Sequence, residues 1–285
     1  MFDTHCHLNF KVFDGRVEGV VKSAREIGVN HIVIPGTDVE TSKKAVEIAE
    51  KFPGVYVAVG IHPHHVFEIY SQASPSKFFD TVGPLHPKSA KNLMALLSKL
   101  ISNPKVVAIG EIGIDRHHYQ RTKHQDYKVD ENFVELQKEF FVEQIKLAKE
   151  YKKALIIHNR EAKKEVLDIL TTYYELLPIN PAVFHCCEPD FELLEFAKKH
   201  KIFIGVDGDV VYWKEKQEFV KKVPLEILVL ETDSPYLSPF RKFPNEPKNI
   251  SFIAKFIAKL KGIKKAEVQE KTTINAKTLF GISQD

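Results

Sequence analysis

Short runs of apolar, mostly β-branched residues recur along the 285-residue chain, and longer segments with helical spacing of apolar positions separate them. Near-continuous apolar strands are buried on both faces, which is the behaviour of a parallel sheet covered by helices. Eight such units predict an α/β fold, a closed (β/α)8 TIM barrel, rather than an open doubly wound sheet. The predicted strands are MFDTHCHL (1–8), HIVIPG (31–36), VYVAVG (55–60), KVVAIGE (105–111), ALIIH (154–158), AVFH (182–185), KIFIGV (201–206) and EILVLETD (226–233).

The segments between the strands predict the outer layer of the fold. Two connections, 66–104 and 115–131, are long enough to form functional rims or lids. No internal repeat, low-complexity tract or linker divides the sequence, so one domain over residues 1–285 is predicted. Amphipathic helices are predicted most clearly over residues 17–28, 41–52 and 132–151.

Composition is that of an ordinary folded protein. Hydrophobic residues make up 44% and charged residues 28%, and the net charge of +3 falls short of the basic bias of dedicated nucleic-acid domains. No apolar run approaches the roughly 20 residues that a membrane span needs, and Asp3 stands where a secretory signal carries positive charge. Three cysteines, two of them adjacent, do not make a paired disulfide framework. We therefore expect a cytoplasmic protein with reduced thiols and no membrane association.

His5 and His7 lie one residue apart in the first predicted strand. Side chains alternate across a strand, so both imidazoles point into the barrel while Cys6 points toward the helices. A His-x-His pair alone is also compatible with two hydrogen-bonded core histidines. Four further strands end on a side chain that binds metals, and the carboxyl ends of barrel strands form the face where active sites lie. These side chains are Glu111, His158, His185 and Asp233.

Together the six side chains predict a metal centre. Burying them without partners would cost about 1–3 kcal/mol for each neutral polar group and more for a charge, and metal ions remove that cost. Six nitrogen and oxygen donors exceed what one tetrahedral zinc ion needs, so two divalent ions (Mg, Mn or Zn) are predicted, with a mononuclear site as the alternative. Cys186 and Cys187 are expected to pack rather than bind metal. The first ion is assigned to His5, His7 and Asp233, the second to His158 and His185, and the bridge to Glu111.

Seven short motifs spread over nearly the whole chain point to one family. They are DTHCHL (3–8), GIHPH (60–64), AIGEIGID (108–115), IIHNREA (156–162), ETDSPYL (231–237), NEP (245–247) and INAKTLFGI (274–282). With them the chain resembles the TatD family of metal-dependent hydrolases, within the amidohydrolase-like barrels. The resemblance implies a TIM barrel with two divalent ions that hydrolyses phosphodiester bonds in DNA, often trimming single-stranded ends. The ligand positions of the family fall on the six residues already reached from the strand ends.

Two segments depart from the family pattern. CCEPD (186–190) stands where relatives have a small Phe-Ser-Gly stretch, and GVDGD (205–209) replaces a Ser/Gly-rich segment. Both long connections also exceed the usual family length. These departures leave the predicted metal site intact and leave the choice of substrate open.

The predicted mechanism uses a water between two cations about 3.5–4 Å apart, which lower its pKa from 15.7 toward about 7. Asp233 is assigned as metal ligand and general base, and Glu111 as the second catalytic residue. His62 and His64, after the third strand, and Arg160, after His158, are expected to contact the phosphate of the substrate.

Two other functions remain open at this stage. A metal-activated water attacks a carbonyl as readily as a phosphorus, so hydrolysis of an ester, amide or lactone, including deacylation, is the alternative reaction. A noncatalytic nucleic-acid-binding protein on the same barrel is the other possibility. The sequence favours DNA as substrate and a monomer, and it leaves open DNA or RNA and exonuclease or endonuclease action.

Overall fold

A computed structural model describes residues 1–71, 90–120, 127–177 and 182–284 of the chain. Eight parallel strands form one sheet in the order β1 to β8, each paired with the next along the chain. Backbone hydrogen bonds from Thr4 to Leu230 (3.0 Å) and from Asp233 to His5 (2.9 Å) join the last strand segment to the first. The predicted (β/α)8 barrel is confirmed. The strands are β1 (Phe2–Asp3), β2 (His31–Pro35), β3 (Val55–Val59), β4 (Val106–Asp115), β5 (Ala154–Arg160), β6 (Ala182–Phe184), β7 (Phe203–Val206) and β8 (Leu228–Leu230).

Helices follow the strands and cover the outside of the barrel. The three helices predicted most clearly are present, with ends shifted by up to two residues. In the described residues the helices are α1 (Val17–Glu26), α2 (Val39–Lys51), α3 (Pro63–Tyr70), α4 (Ala90–Ile101), α5 (Glu131–Tyr151), α6 (Lys163–Thr172), α7 (Phe191–His200), α8 (Lys214–Lys222), α9 (Ile250–Lys261) and α10 (Lys265–Phe280).

The two long connections are only partly described. Helix α3 and helix α4 occupy much of the connection 66–104, so its described ends are helical rather than irregular. Its middle, 72–89, and residues 121–126 of the second connection lie outside the described residues. None of the helices in the described parts is both long and apolar enough to cross a bilayer.

The first strand is shorter than its sequence predicts. The segment after Asp3 bonds alternately to its two neighbours, with Cys6 N donating to Val33 O (3.0 Å) and His7 N donating to Ser234 O (2.7 Å). The regular ladder with β2 ends at Asp3, but the chain stays in the barrel wall. His5 and His7 therefore still project from the wall at its carboxyl end.

The amino-terminal end of the barrel is closed by its own core. Phe2, Val33 and Ile156 from the strands pack in one cluster with Leu279 and Phe280 of helix α10. This apolar plug removes water from that end. Buried histidines and carboxylates lie at the opposite, carboxyl-terminal mouth, where barrel enzymes place their chemistry.

Candidate metal centre

Two histidines and two carboxylates meet at the end of β1 and β8. The Nε2 atoms of His5 and His7 are 3.1 Å apart. Glu111 Oε2 lies 3.4 Å from His5 Nε2 and 3.7 Å from His7 Nε2. Asp233 Oδ1 lies 3.7 Å and 3.6 Å from the same two nitrogens. The four groups form a compact set of nitrogen and oxygen donors around one point.

The other carboxylate oxygen of Glu111 faces a second set of imidazoles. Glu111 Oε1 is 2.9 Å from His158 Nδ1, 3.3 Å from His62 Nε2 and 3.7 Å from His185 Nε2. The ring of His185 also stacks on that of His5, with centroids 3.5 Å apart, and so lies between the two sets. A carboxylate whose two oxygens face separate donor sets has the arrangement expected of a bridging ligand.

Burial keeps the first pair of imidazoles neutral. It lowers the pKa of His7 to about 4 and the pKa of His5 well below its usual value. Neutral imidazole is the form that binds metals, because the lone pair on the nitrogen is free. Burial raises the pKa of Asp233, and the charge of Glu111 adds to this rise against the opposing charge of His185, since two carboxylates are buried close together. A cation relieves that repulsion.

In the second set, the surroundings of His158 and His185 favour positive charge, whereas burial lowers the pKa of His62 to about 3. Burial disfavours their charged form, yet Asp115 and Glu111 raise the pKa of His158 to about 9. Against the same effect of burial, Glu231 and Glu111 raise the pKa of His185 to about 10. The site thus stabilises a positive charge, which a metal ion supplies as well as a proton does. Together with the donor types, this shows that the residues present fit divalent ions.

Asp115 supports the second set of imidazoles by binding the ring nitrogen of His158 that does not face Glu111. It accepts hydrogen bonds from His158 Nε2 (2.9 Å), from the Tyr119 hydroxyl (2.8 Å) and from the backbone of His117 (2.8 Å). Gln137 on helix α5 binds the Asp115 backbone in both directions, at 2.8 and 3.1 Å. Such outer partners orient ligand side chains and tune their basicity. Tyr119 and Gln137 were not among the residues predicted from the sequence.

Glu231 is a further residue that sequence reasoning missed. Its carboxylate lies 3.2 Å from His185 Nδ1 and accepts a hydrogen bond from the backbone of Cys186. The space for it depends on Gly205, because a Cβ atom there would lie 2.5 Å from Glu231 Oε2. A signal was present in the sequence: Glu231 precedes Asp233 by two positions, the spacing that places side chains on one face of a strand.

The three residues predicted to contact substrate lie at different depths. His62 is buried beside Glu111, with the metal-ligand candidates. His64 lies farther out, 3.2 Å from Asp115 Oδ2. Arg160 is exposed and donates to the Tyr119 hydroxyl at 3.2 Å, with its guanidinium 5.2 Å from the centroid of that ring. Only His64 and Arg160 are therefore on the open rim of the site.

The two segments that depart from the family pattern meet each other beside the metal centre. Lys216 of helix α8 is fully buried, and its Nζ lies 2.8 Å from Asp207 Oδ2 and 2.6 Å from Asp209 Oδ1. The same Nζ is 4.0 Å from the Sγ of Cys186, and Cys187 is buried nearby in the hydrophobic core. Cys186 thus contacts an ion-pair cluster, whereas Cys187 packs in the core as expected.

Comparison with known proteins supports a metal-dependent hydrolase. The family profile described as TatD related DNase matches residues 2–281. The metal-dependent hydrolase YabD of Bacillus subtilis is 33% identical over 287 residues, which cover 99% of this chain and 100% of YabD. The 3'-5' ssDNA/RNA exonuclease TatD of Escherichia coli is 28% identical, covering 99% and 100%. The structure of YJJV, a TatD homologue from Escherichia coli K12, has a TM-score of 0.80 at 26% identity, covering 99% of this chain and 98% of YJJV.

Five imidazoles surround a buried glutamate at the mouth of this TIM barrel. This fold and site are those of the class of metal-dependent hydrolases. Within that class, the match over residues 2–281 decides the family. The chain belongs to the TatD family of metal-dependent hydrolases, and the resemblance predicted from its seven motifs is confirmed.

Proposed function

We propose that the protein is a two-metal deoxyribonuclease that hydrolyses phosphodiester bonds in single-stranded DNA, with residues 1–285 as one hydrolase domain. The observation that carries the proposal is the position of Glu111, whose two oxygens face separate sets of donors. The exonuclease name of the Escherichia coli relative supports the choice of phosphodiester and of single strands. The exposed cation of Arg160 at the rim suits a polyanionic substrate.

Each ion would be held by one oxygen of Glu111 together with the donors that face that oxygen. His5, His7 and Asp233 would hold the first ion with Glu111 Oε2. His158 and His185 would hold the second with Glu111 Oε1, and His62 is a further nitrogen donor beside that oxygen. When bound, the ions supply positive charge that lowers the pKa of a water and stabilises the charge developing on the phosphate.

Asp233 is the residue that we assign to accept the proton of the attacking water. Its side chain is 13% exposed, against 5% for Glu111, so it is the more open of the two carboxylates. Its backbone has a φ of 47°, a conformation that non-glycine residues seldom adopt, and a hydrogen bond from Asp233 N to His5 O holds it there. His64 and Arg160 would orient the phosphate from the rim, where the side chains are open to solvent.

The test is an end-labelled cleavage assay combined with metal analysis. Single-stranded DNA, duplex DNA and RNA of one sequence are incubated with Mg²⁺ or Mn²⁺, and with EDTA. We expect two ions per chain, cleavage of the single strand, and loss of cleavage in chelator. Glu111→Gln and Asp233→Asn should each lower the rate by on the order of 10³-fold, because each removes charge from the centre. Glu195→Gln, on the exposed face of α7, is the matched control and should act as the wild type does.

Three results would overturn the proposal. They are cleavage that persists in EDTA, cleavage by Glu111→Gln at the rate of the wild type, and hydrolysis of a carboxylic ester or lactone without any action on nucleic acid. The last result would favour the amidohydrolase-type reaction, since both reactions use the same activated water.

A further inference from the structure

A series of aromatic rings leads from the metal centre to the surface. The ring of Phe10 stacks on that of His7, with centroids 4.3 Å apart and an interplanar angle of 13°. Tyr236 follows, with its ring 6.3 Å from that of Phe10, and Phe243 lies 6.3 Å beyond Tyr236. We name Phe10, Tyr236 and Phe243 the aromatic strip. Its inner end touches one of the predicted metal ligands.

The outer part of the strip is open to solvent. Tyr236 is 50% exposed and Phe243 is 67% exposed, while Phe10 is half-buried. Exposed apolar side chains scattered singly need no explanation, but contiguous ones mark interaction surfaces. Here the rings are contiguous with each other and with His7.

The loop that carries Tyr236 and Phe243 is held firmly to the end of β8. Asn245 is buried, and its side-chain amide donates to Thr232 O at 2.8 Å. Its backbone N–H donates to Pro235 O at 2.8 Å, and Tyr236 N donates to Asp233 O at the same distance. The backbone of Tyr236 is thus anchored three residues from a predicted ligand, so ordering this segment for binding loses little conformational entropy.

Two basic side chains lie beside the aromatic strip. Arg241 and Lys242 lie in the loop between Tyr236 and Phe243, and both are exposed. In the part of the chain that the structure describes, neither has a carboxylate within ion-pair distance. Arg241 stacks over the ring of Tyr212, with its guanidinium 4.6 Å from the centroid. Both charges are therefore available to phosphates that pass along the loop.

We propose that the aromatic strip is a stacking site for an unpaired nucleobase next to the phosphate that is cleaved. Sites for single-stranded nucleic acid combine aromatic side chains, on which bases stack, with cations that follow the backbone. In a duplex the faces of the bases are already covered by stacking, so the strip selects single strands of either DNA or RNA. The inference rests on the proposed nuclease function, and it names the residues that would select the substrate of that site.

The test measures binding and cleavage separately. Binding of a fluorescein-labelled single strand of about ten nucleotides, a length within the usual site size, is followed by anisotropy without added metal. Tyr236→Ala and Phe243→Ala should each weaken binding by about 5- to 150-fold, the range found when one base–aromatic stack is removed. Tyr236→Phe, which keeps the ring, should bind as the wild type does. Tyr174→Ala removes a comparably exposed aromatic ring at the opposite end of the barrel and is the matched control.

A substrate with one abasic residue separates stacking from other effects. The abasic residue is moved along the strand, and KM is measured for wild type, Tyr236→Ala and Phe243→Ala. We expect the wild type to discriminate against the abasic strand at one position near the cleaved bond, and both variants to lose that discrimination. A purely structural role for the rings would raise KM for both strands alike. Circular dichroism and the midpoint of urea unfolding verify that each variant is folded.

The possible failures are distinguishable. If the wild type cleaves neither DNA nor RNA, the nuclease function is wrong, whatever the binding result. If it cleaves, but both variants bind like the wild type or keep its preference for the intact base, the stacking site is wrong. Equal loss of binding to duplex and single strand would also overturn it, because it would indicate a contact with the backbone rather than with a base.

Discussion

The buried lysine of helix α8 allows the sharpest prediction about stability. Lys216 Nζ lies within 2.8 Å of carboxylate oxygens of both Asp207 and Asp209, and Lys216 is fully buried. Lys216→Met keeps most of the apolar side chain and removes the charge. It leaves two carboxylates, one of them wholly inaccessible to water, without their cation.

The expected loss is large. Removing one partner of a buried ion pair costs about 3–5 kcal/mol, because the remaining charge is uncompensated in a medium of low polarity. A domain is stable by only about 5–15 kcal/mol, so the variant should lose a large fraction of its free energy of unfolding. Lys221→Met, which breaks an exposed pair with Glu218 on the same helix, should cost less than about 1 kcal/mol.

The loss should also depend on pH, with a defined sign. In the wild type burial opposes ionisation, but the charge of Lys216 outweighs it and lowers the pKa of Asp207. That stabilisation is present above the unfolded pKa, near 3.9, and is lost as the pH falls toward the folded value. Without the lysine, burial should raise the pKa of Asp207 above 3.9. The deficit of the variant should then grow between pH 5 and pH 8 by up to about 1.4 kcal/mol per pH unit from Asp207, whereas burial and the charge of Asp207 already raise the pKa of Asp209 to about 8 in the wild type.

Equilibrium urea unfolding at pH 5 and pH 8, in EDTA so that metal binding does not contribute, gives the required free energies. Adding Asp207→Asn and Asp209→Asn to Lys216→Met removes the unpaired charges and should restore much of the stability at pH 8. If Lys216→Met loses less than about 1 kcal/mol, or loses the same amount at both pH values, the reasoning from buried charge is refuted.

Three further predictions concern the active-site mouth. Removing metal with EDTA should lower the midpoint of thermal unfolding, since an ion at 100 times its Kd stabilises the folded state by about 2.7 kcal/mol; an unchanged midpoint by calorimetry would contradict a metal centre. Gln144→Leu should cost about 1–3 kcal/mol in urea unfolding, because the buried amide binds both Ile61 N (2.7 Å) and Ile61 O (3.2 Å); a neutral result would show that these groups find other partners. Tyr119→Phe removes the hydroxyl donor to Asp115 and should weaken metal binding by about 10-fold or more in a titration, whereas Tyr174→Phe should not; equal affinity of both variants would exclude a role for this hydroxyl.

The sequence by itself determined the architecture and most of the donor set. Buried parallel strands need apolar side chains on both faces, so they stand out as short continuous apolar runs, and all eight were found. The carboxyl ends of barrel strands converge, so a polar residue after each run could be placed at one mouth without coordinates. That rule brought Glu111, His158, His185 and Asp233 together with His5, and these groups lie close together in the structure.

Only the tertiary structure decided how these groups divide and what supports them. The depth of His62, and which oxygen of Glu111 faces which imidazole, depend on side-chain directions that strand periodicity does not specify. In the sequence, Lys216 is one of several lysines in a polar helix, and its neighbours along the chain do not indicate that it is buried against Asp207. The ring contact between Phe10 and Tyr236 joins opposite ends of the chain through barrel closure. Local pattern fixes which backbone elements form, whereas contacts between distant side chains arise only when those elements pack.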